Sequence, residues 1–231
     1  GKGYADVQLD GSVPAEARQA TWEYRIVILA DQPAQTVKAD AASEWMNVMP
    51  VITGDTFEAV VRVPAGGWYR LECRCRVADG VLATGAVEPI GVGEVFVVAG
   101  QSYATNCNDE LLTVADPQQR VVAFDSAKQT WAVANDPQPV FDGSDGGSIW
   151  PLLGDALAKE FGVPIGFANV AIGGSSSAQW LPEGDMLPRL INAGKTLRTF
   201  RAVLWQQGES DVITKNPTVG YVANIKTIRE T

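Results

Sequence analysis

Three short apolar runs constrain this chain more than any other feature. They are "EVFVVA" from Glu94, "GFANVA" from Gly166 and "RAVLW" from Arg201. Each is too short for a helix of ordinary length and too apolar for a strand with a wet face, which fits parallel strands covered on both sides. Each stops abruptly at small or polar residues: Gly100-Gln101-Ser102, Gly173-Gly174-Ser175-Ser176-Ser177, and Gln206-Gln207-Gly208-Glu209-Ser210-Asp211. In a parallel sheet such ends share one edge, and open α/β sheets bind ligands there. Three separate stretches are therefore predicted to meet in one cleft.

Helix signals lie between the runs. Ser148 can cap a helix that has Pro151 in its first turn, places Trp150, Leu153, Leu157 and Phe161 on one face, and ends at Gly162. A second helix is predicted from Asn216-Pro217, with Tyr221, Val222, Ile225 and Ile228 as its apolar stripe. Strands alternating with helices predict a parallel α/β domain. The stretch from Asn108 to Gly147 is rich in turn signals and is assigned no structure.

The first ninety residues read differently. In "WYRLECRCRV" Tyr69, Leu71, Cys73, Cys75 and Val77 alternate with Arg70, Glu72, Arg74 and Arg76, the period of a strand with one buried face. "FEAVVRV" repeats the pattern with Phe57, Ala59, Val61 and Val63, and "WEYRIVILA" from Trp22 is a third strand. Turn signals at Asp31-Gln32-Pro33, Thr53-Gly54-Asp55, Pro64-Ala65-Gly66-Gly67 and Asp79-Gly80 separate them. The expectation is an antiparallel β-sandwich over residues 1–91 and an α/β domain over 92–231.

Charge narrows the partners. Twenty-seven acids against 18 bases give a net charge of -9, which argues against nucleic acid and anionic membrane surfaces. No apolar stretch reaches the roughly 20 residues of a membrane helix. Cys73, Cys75 and Cys107 form no disulfide framework. Cys73 and Cys75 point the same way in their strand and are read as core, and no histidine or further cysteine pair completes a zinc set.

The strand ends carry residue types suited to acyl transfer. A serine that opens a helix after a strand has a free backbone N–H and a positive helix end beside it. A Gly-Gly turn lets a second N–H approach a ligand, and a glutamine amide can give a third hydrogen bond. Taken alone, Gly-x-Ser occurs mostly at turns and caps, and Ala104 stands where a nucleophile elbow has glycine. Glu209 and Asp211 read equally as solvated acids or a cation site.

Together, "VVAGQSYATN", "NVAIGGSSSAQW" and "VLWQQGESD" resemble the sialate O-acetylesterase group of carbohydrate esterases, in the SGNH hydrolase superfamily, over about Gly91 to Asp211. The resemblance implies a flavodoxin-like three-layer α/β/α fold and hydrolysis of acetyl esters on sugars through an acetyl-serine, without cofactor or metal. It implies Ser102 as nucleophile, Gly174 as oxyanion donor with Gly173 a close competitor, Gln207 at the polar position of the third block, and Glu209 as the acid that orients a histidine. Gln101, Tyr103, Gly173 and Ser175 are expected to line the substrate.

Two departures stand out. Tyr103 occupies a position where that family usually has Asn, and the chain contains no histidine at all. A serine at its ordinary pKa needs an adjacent base. The expectation is that a C-terminal part carrying Asp-x-x-His is missing from these residues or present as a second chain, and that the fold is incomplete there. The partner is then an acetylated carbohydrate, and export to the periplasm or medium is favoured because polymer-directed esterases tend to work outside the cytosol. The rival readings are a non-catalytic carbohydrate-binding protein that kept the cleft and lost the base, and a scaffold. Trp22, Trp45 and Trp68 could give the sandwich a sugar-binding face.

Overall fold

The computed structural model describes residues 3–29 and 44–231. The chain divides into two units, Gly1–Gly93 with Gly162–Pro164, and Glu94–Phe161 with Ile165–Thr231. The turn expected at Asp31-Gln32-Pro33 lies outside the described residues.

The first unit contains seven strands: β1 (Tyr4–Ser12), β2 (Thr21–Ile28), β3 (Met46–Val48), β4 (Val51–Thr53), β5 (Thr56–Pro64), β6 (Gly66–Val77) and β7 (Gly80–Val92). They form two antiparallel sheets, ordered β1-β5-β4 and β3-β2-β6-β7. The inward positions of β5, Val61 and Val63, pack in one cluster with Ile26 of β2 and Tyr69 and Leu71 of β6. Both sheets thus share a core, and the alternation in β5 and β6 follows from it. On the other face of β2 and β6, charged residues pair across strands: Arg25 with Glu72 at 2.6 Å and Arg74 with Glu23 at 2.7 Å. Cys75 is buried, Cys73 is half-buried, and both are free thiols in the cluster around Trp22.

Trp22 is 6% exposed, and its indole N–H donates to the Ala17 carbonyl. Its role is core packing, which corrects its candidacy as a sugar platform. Trp45 is covered by the Arg25 and Arg74 guanidinium groups, 4.7 and 3.9 Å from its ring centroid.

The second unit is built on β8 (Glu94–Gly100), β9 (Val121–Asp125), β10 (Thr130–Val133), β11 (Ile165–Asn169) and β12 (Ala202–Gln206), in the order β10-β9-β11-β8-β12. All adjacent pairs are parallel except β10 with β9. β9 and β10 fall in the stretch that received no assignment. Its helices are α1 (Trp150–Phe161), α2 (Leu187–Leu197), α3 (Glu209–Ile213) and α4 (Thr218–Glu230). The Ser148 hydroxyl accepts the Trp150 N–H at 3.3 Å, as the predicted cap requires.

Alternate residues of β8 face opposite clusters. Phe96 and Val98 pack with Trp150 and Ala158 of α1, whereas Val97 and Ala99 pack with Leu187 of α2 and Ile228 of α4. Burial on both sides explains why the run has no polar position. Within α4, Ile225 and Ile228 reach that core, but Val222 of the predicted stripe is exposed. Among the described residues no helix is long and apolar enough to cross a membrane.

Candidate active site

β11 and β12 flank β8, so all three polar strand ends emerge side by side. Gly100 ends β8 opposite Gln206 of β12. Its φ of +122° and the absence of a side chain let the two backbones meet. The Gln101 N–H then donates to the Gln206 carbonyl at 2.8 Å, and the chain turns through Ser102–Ala104. That turn is a three-residue 3₁₀ segment, so the positive helix end expected beside Ser102 is absent. The turn is fixed instead by Thr105, whose N–H and hydroxyl both donate to the Ser102 carbonyl, at 3.0 and 2.9 Å. The Ala104 carbonyl accepts from Asn169 Nδ2 at 2.7 Å and from the Trp150 indole at 2.9 Å. Ser102 is half-buried, and Tyr103 beside it is 53% exposed.

The second strand end is held from two sides. The Gly173 N–H donates to Asp142 Oδ2 at 2.8 Å, and the Gly174 carbonyl accepts the Ser210 hydroxyl at 2.9 Å. Gly173 is therefore no competitor as an oxyanion donor, because its N–H is already bonded. Gly174 sits at φ +73° with open space where a Cβ would lie. Among the described residues nothing accepts from the N–H of Gly174 or of Ser102. Ser175, expected to touch substrate, is 1% exposed; it donates to the Gly100 carbonyl at 3.1 Å and accepts from the Trp180 indole at 2.9 Å. It is a structural residue.

The third strand end contributes a buried polar network. Gln207 Nε2 faces Gln101 Oε1 at 3.1 Å, the Ser175 carbonyl at 3.2 Å and Asp211 Oδ2. Its two hydrogens are engaged inward, which corrects the reading of this amide as an oxyanion donor. Gln101 is 2% exposed, so it does not line the substrate either. Its Oε1 accepts from Gln207 and from the Gly208 and Ser210 N–H groups, and its Nε2 lies 3.4 Å from Ser102 Oγ. Glu209 Oε1 accepts from Gln206 Nε2 at 2.8 Å, and its Oε2 is buried without a partner.

Two carboxylates organise these loops, and only one stands in the expected blocks. Burial would raise the carboxyl pKa of Asp211, but donors from Ser177, Asn216 and Gln207 hold it below its ordinary value. Asp142 behaves alike: burial opposes ionisation, and Ser144, the Gly173 N–H and Thr105 outweigh it. Asp142 was legible only as part of an Asp-Gly turn; nothing in its sequence neighbourhood marks its bond to Gly173. Among the described residues no cluster of three or more His, Cys, Asp or Glu is placed to hold a metal.

A strand flanked on both sides and ending at a half-buried serine, with uncommitted backbone N–H groups on the adjoining turns, is an arrangement suited to ester hydrolysis. The chain belongs to the family described as carbohydrate esterase, sialic acid-specific acetylesterase, which matches residues 92–231. Among solved structures it is similar to a carbohydrate acetylesterase from Xanthomonas citri, at 18% identity and a TM-score of 0.52, over 98% of this chain and 52% of that one. The chain thus spans about half the length of the Xanthomonas protein. A protein from Arabidopsis thaliana matches over 59% of this chain and 68% of its own, at 21% identity and a TM-score of 0.49. No curated protein matches.

Proposed function

We propose that this chain supplies the nucleophile and oxyanion site of an esterase that removes O-acetyl groups from carbohydrate. The observation that carries the reading is the position of Ser102: half-buried, just after β8, between two other polar strand ends. Family membership over residues 92–231 supports the acetyl ester as substrate class. Ser102 Oγ attacks the acetyl carbonyl carbon as a base takes its proton. The negative charge gathers on the carbonyl oxygen, where the N–H groups of Ser102 and Gly174 receive it; such donors can contribute about 10²–10³ in rate each. The sugar oxygen leaves with a proton, and water then releases acetate and regenerates the serine.

The base is imidazole from outside these 231 residues, since they include no histidine. The unpartnered Glu209 Oε2 is the acceptor that would orient it. On this reading the five-stranded unit is the flavodoxin-like three-layer domain of an SGNH hydrolase, and the seven-stranded unit is a β-sandwich.

The test is treatment of the full gene product with a fluorophosphonate, followed by adduct mapping. The expected label is on Ser102. A label on Ser175, Ser177 or Ser210 with Ser102 clean overturns the assignment. Carbohydrate binding without any label or turnover favours the non-catalytic reading.

A further inference from the structure

We propose that Asp211 is a positioning residue for Ser102, acting through Gln207 and Gln101. The proposal rests on the serine-esterase reading above.

Asp211 is 3% exposed, and among the described residues it forms no ion pair. Its charge is met by neutral donors. Oδ1 accepts the Ser177 hydroxyl at 2.5 Å and Asn216 Nδ2 at 2.6 Å; Oδ2 accepts the Ser177 N–H at 2.7 Å and Gln207 Nε2. An ionised carboxylate can only accept. Gln207 can therefore face it only with its NH₂ group, and this removes the usual two-fold ambiguity of an amide.

The same NH₂ group points to Gln101 Oε1 at 3.1 Å. That oxygen also receives the Gly208 N–H at 3.2 Å and the Ser210 N–H at 3.1 Å. With three donors at one end, the Gln101 amide has a single orientation, and its NH₂ lies towards Ser102 Oγ. An NH₂ group cannot accept. The hydroxyl proton of Ser102 is thus turned away from Gln101 and left for an acceptor in the cleft. The Asp211 carboxylate is the charged acceptor that holds Gln207, alongside the Ser175 carbonyl, and Gln207 joins the Gly208 and Ser210 N–H groups in holding the Gln101 NH₂ against Ser102.

The network also ties the strand ends together: Asp211 and Gln207 come from the third, Ser177 and Ser175 from the second, and Gln101 from the first. A purely structural role would therefore cost stability whichever member is removed, and activity would follow stability. A positioning role separates the two. Ser177→Ala removes a donor but leaves the Asp211 charge facing Gln207. Asp211→Asn keeps the size but places an NH₂ among donors, so Gln207 loses its charged acceptor and is held only by the Ser175 carbonyl and Gln101 Oε1.

The experiment uses the full gene product and measures three quantities for each variant: the fluorophosphonate labelling rate at Ser102, kcat and KM for an acetylated sugar, and the thermal midpoint. Expected for Asp211→Asn is a labelling rate and kcat reduced about 10–100-fold with KM within about twofold, the scale of a small misplacement of a reacting group. Expected for Ser177→Ala is a lowered thermal midpoint with labelling within about threefold of wild type. If Asp211→Asn does not fold, Gln101→Glu decides. It keeps the acceptor for the three donors but replaces the NH₂ at Ser102 with an acceptor, and the same slowing is expected. Wild-type labelling in the folded Asp211→Asn or Gln101→Glu variant overturns the proposal. So does a loss of labelling in Ser177→Ala as large as that in Asp211→Asn. An unlabelled Ser102 in the wild type overturns the esterase reading and this proposal with it. Labelled wild type with unaffected variants overturns the proposal alone.

Discussion

Gly100 and Gln206 approach so closely that a Cβ on Gly100 would lie 1.8 Å from the Gln206 carbonyl oxygen. That oxygen is backbone and accepts the Gln101 N–H, so it cannot yield as a flexible side chain would. The pair fixes the first and third strand ends against each other two residues before Ser102. Gly100→Ala is expected to part β8 from β12 at this point and to lower stability by about 3 kcal/mol or more. Chemical denaturation checks it. A variant within about 0.5 kcal/mol of wild type would mean that the two strand ends are not held in this register.

Asp142 and Asp211 predict the shape of the acid limb of stability. Both carboxyls sit below their ordinary values in the folded chain, because hydrogen-bond donors outweigh burial. A group whose folded pKa is lowered adds stability above its unfolded pKa and loses it as pH falls through the folded value. The denaturant midpoint should therefore carry the full contribution of this pair near neutrality, without pH dependence there, then fall below about pH 4, the unfolded carboxylate range. Asp211→Asn should flatten that limb while lowering the midpoint at neutral pH. An unchanged acid slope in the variant would show that Asp211 is not held ionised by its donors.

What the sequence conveyed follows from range of interaction. The run at Val95–Ala99 is apolar at every position because clusters on both faces of β8 take its side chains, so burial was written locally. β6 was legible for the same reason on one face. β9 was hidden because "VVAFD" sits inside the turn-rich stretch from Asn108 to Gly147, and only its pairing to β11 makes it part of the sheet. The site divides likewise. That Ser102 and Gly174 follow neighbouring strands was legible from the three apolar runs. The inward turn of Gln207 was not, because an amide has two ends of similar shape and its direction depends on Asp211, four residues away, and on Gln101, 106 residues away. Asp142 depends on Gly173, 31 residues on.

Ser175 separates a structural serine from a substrate contact. Its hydroxyl bridges the Gly100 carbonyl and the Trp180 indole, away from solvent. Ser175→Ala removes both bonds and leaves a buried indole N–H without its acceptor, a cost of about 1–3 kcal/mol. KM for an acetylated sugar is expected to stay within about twofold in the folded variant. A raised KM at unchanged stability would return Ser175 to the substrate surface.

The proposed external base predicts a chemical rescue. Residues 1–231 contain Ser102, the uncommitted N–H groups of Ser102 and Gly174, and the unpartnered Glu209 Oε2, but no imidazole. A positioned base contributes about 10²–10⁴-fold to such reactions, so this stretch alone should deacetylate sugars slowly. Free imidazole can act without a tether if Glu209 accepts from its ring N–H and leaves the other nitrogen to take the Ser102 proton. The expected result is an acetate-release rate that rises with imidazole concentration and saturates, by about tenfold or more, a part of what a positioned base supplies. The rise should vanish in Ser102→Ala and weaken in Glu209→Gln, whose amide can present its donor end to the ring. An acetylated sugar is the substrate of choice, because imidazole hydrolyses activated phenyl esters unaided. Equal stimulation of Ser102→Ala would place the reaction in solution and remove Ser102 as the nucleophile. Rapid turnover by residues 1–231 without imidazole would remove the external base instead.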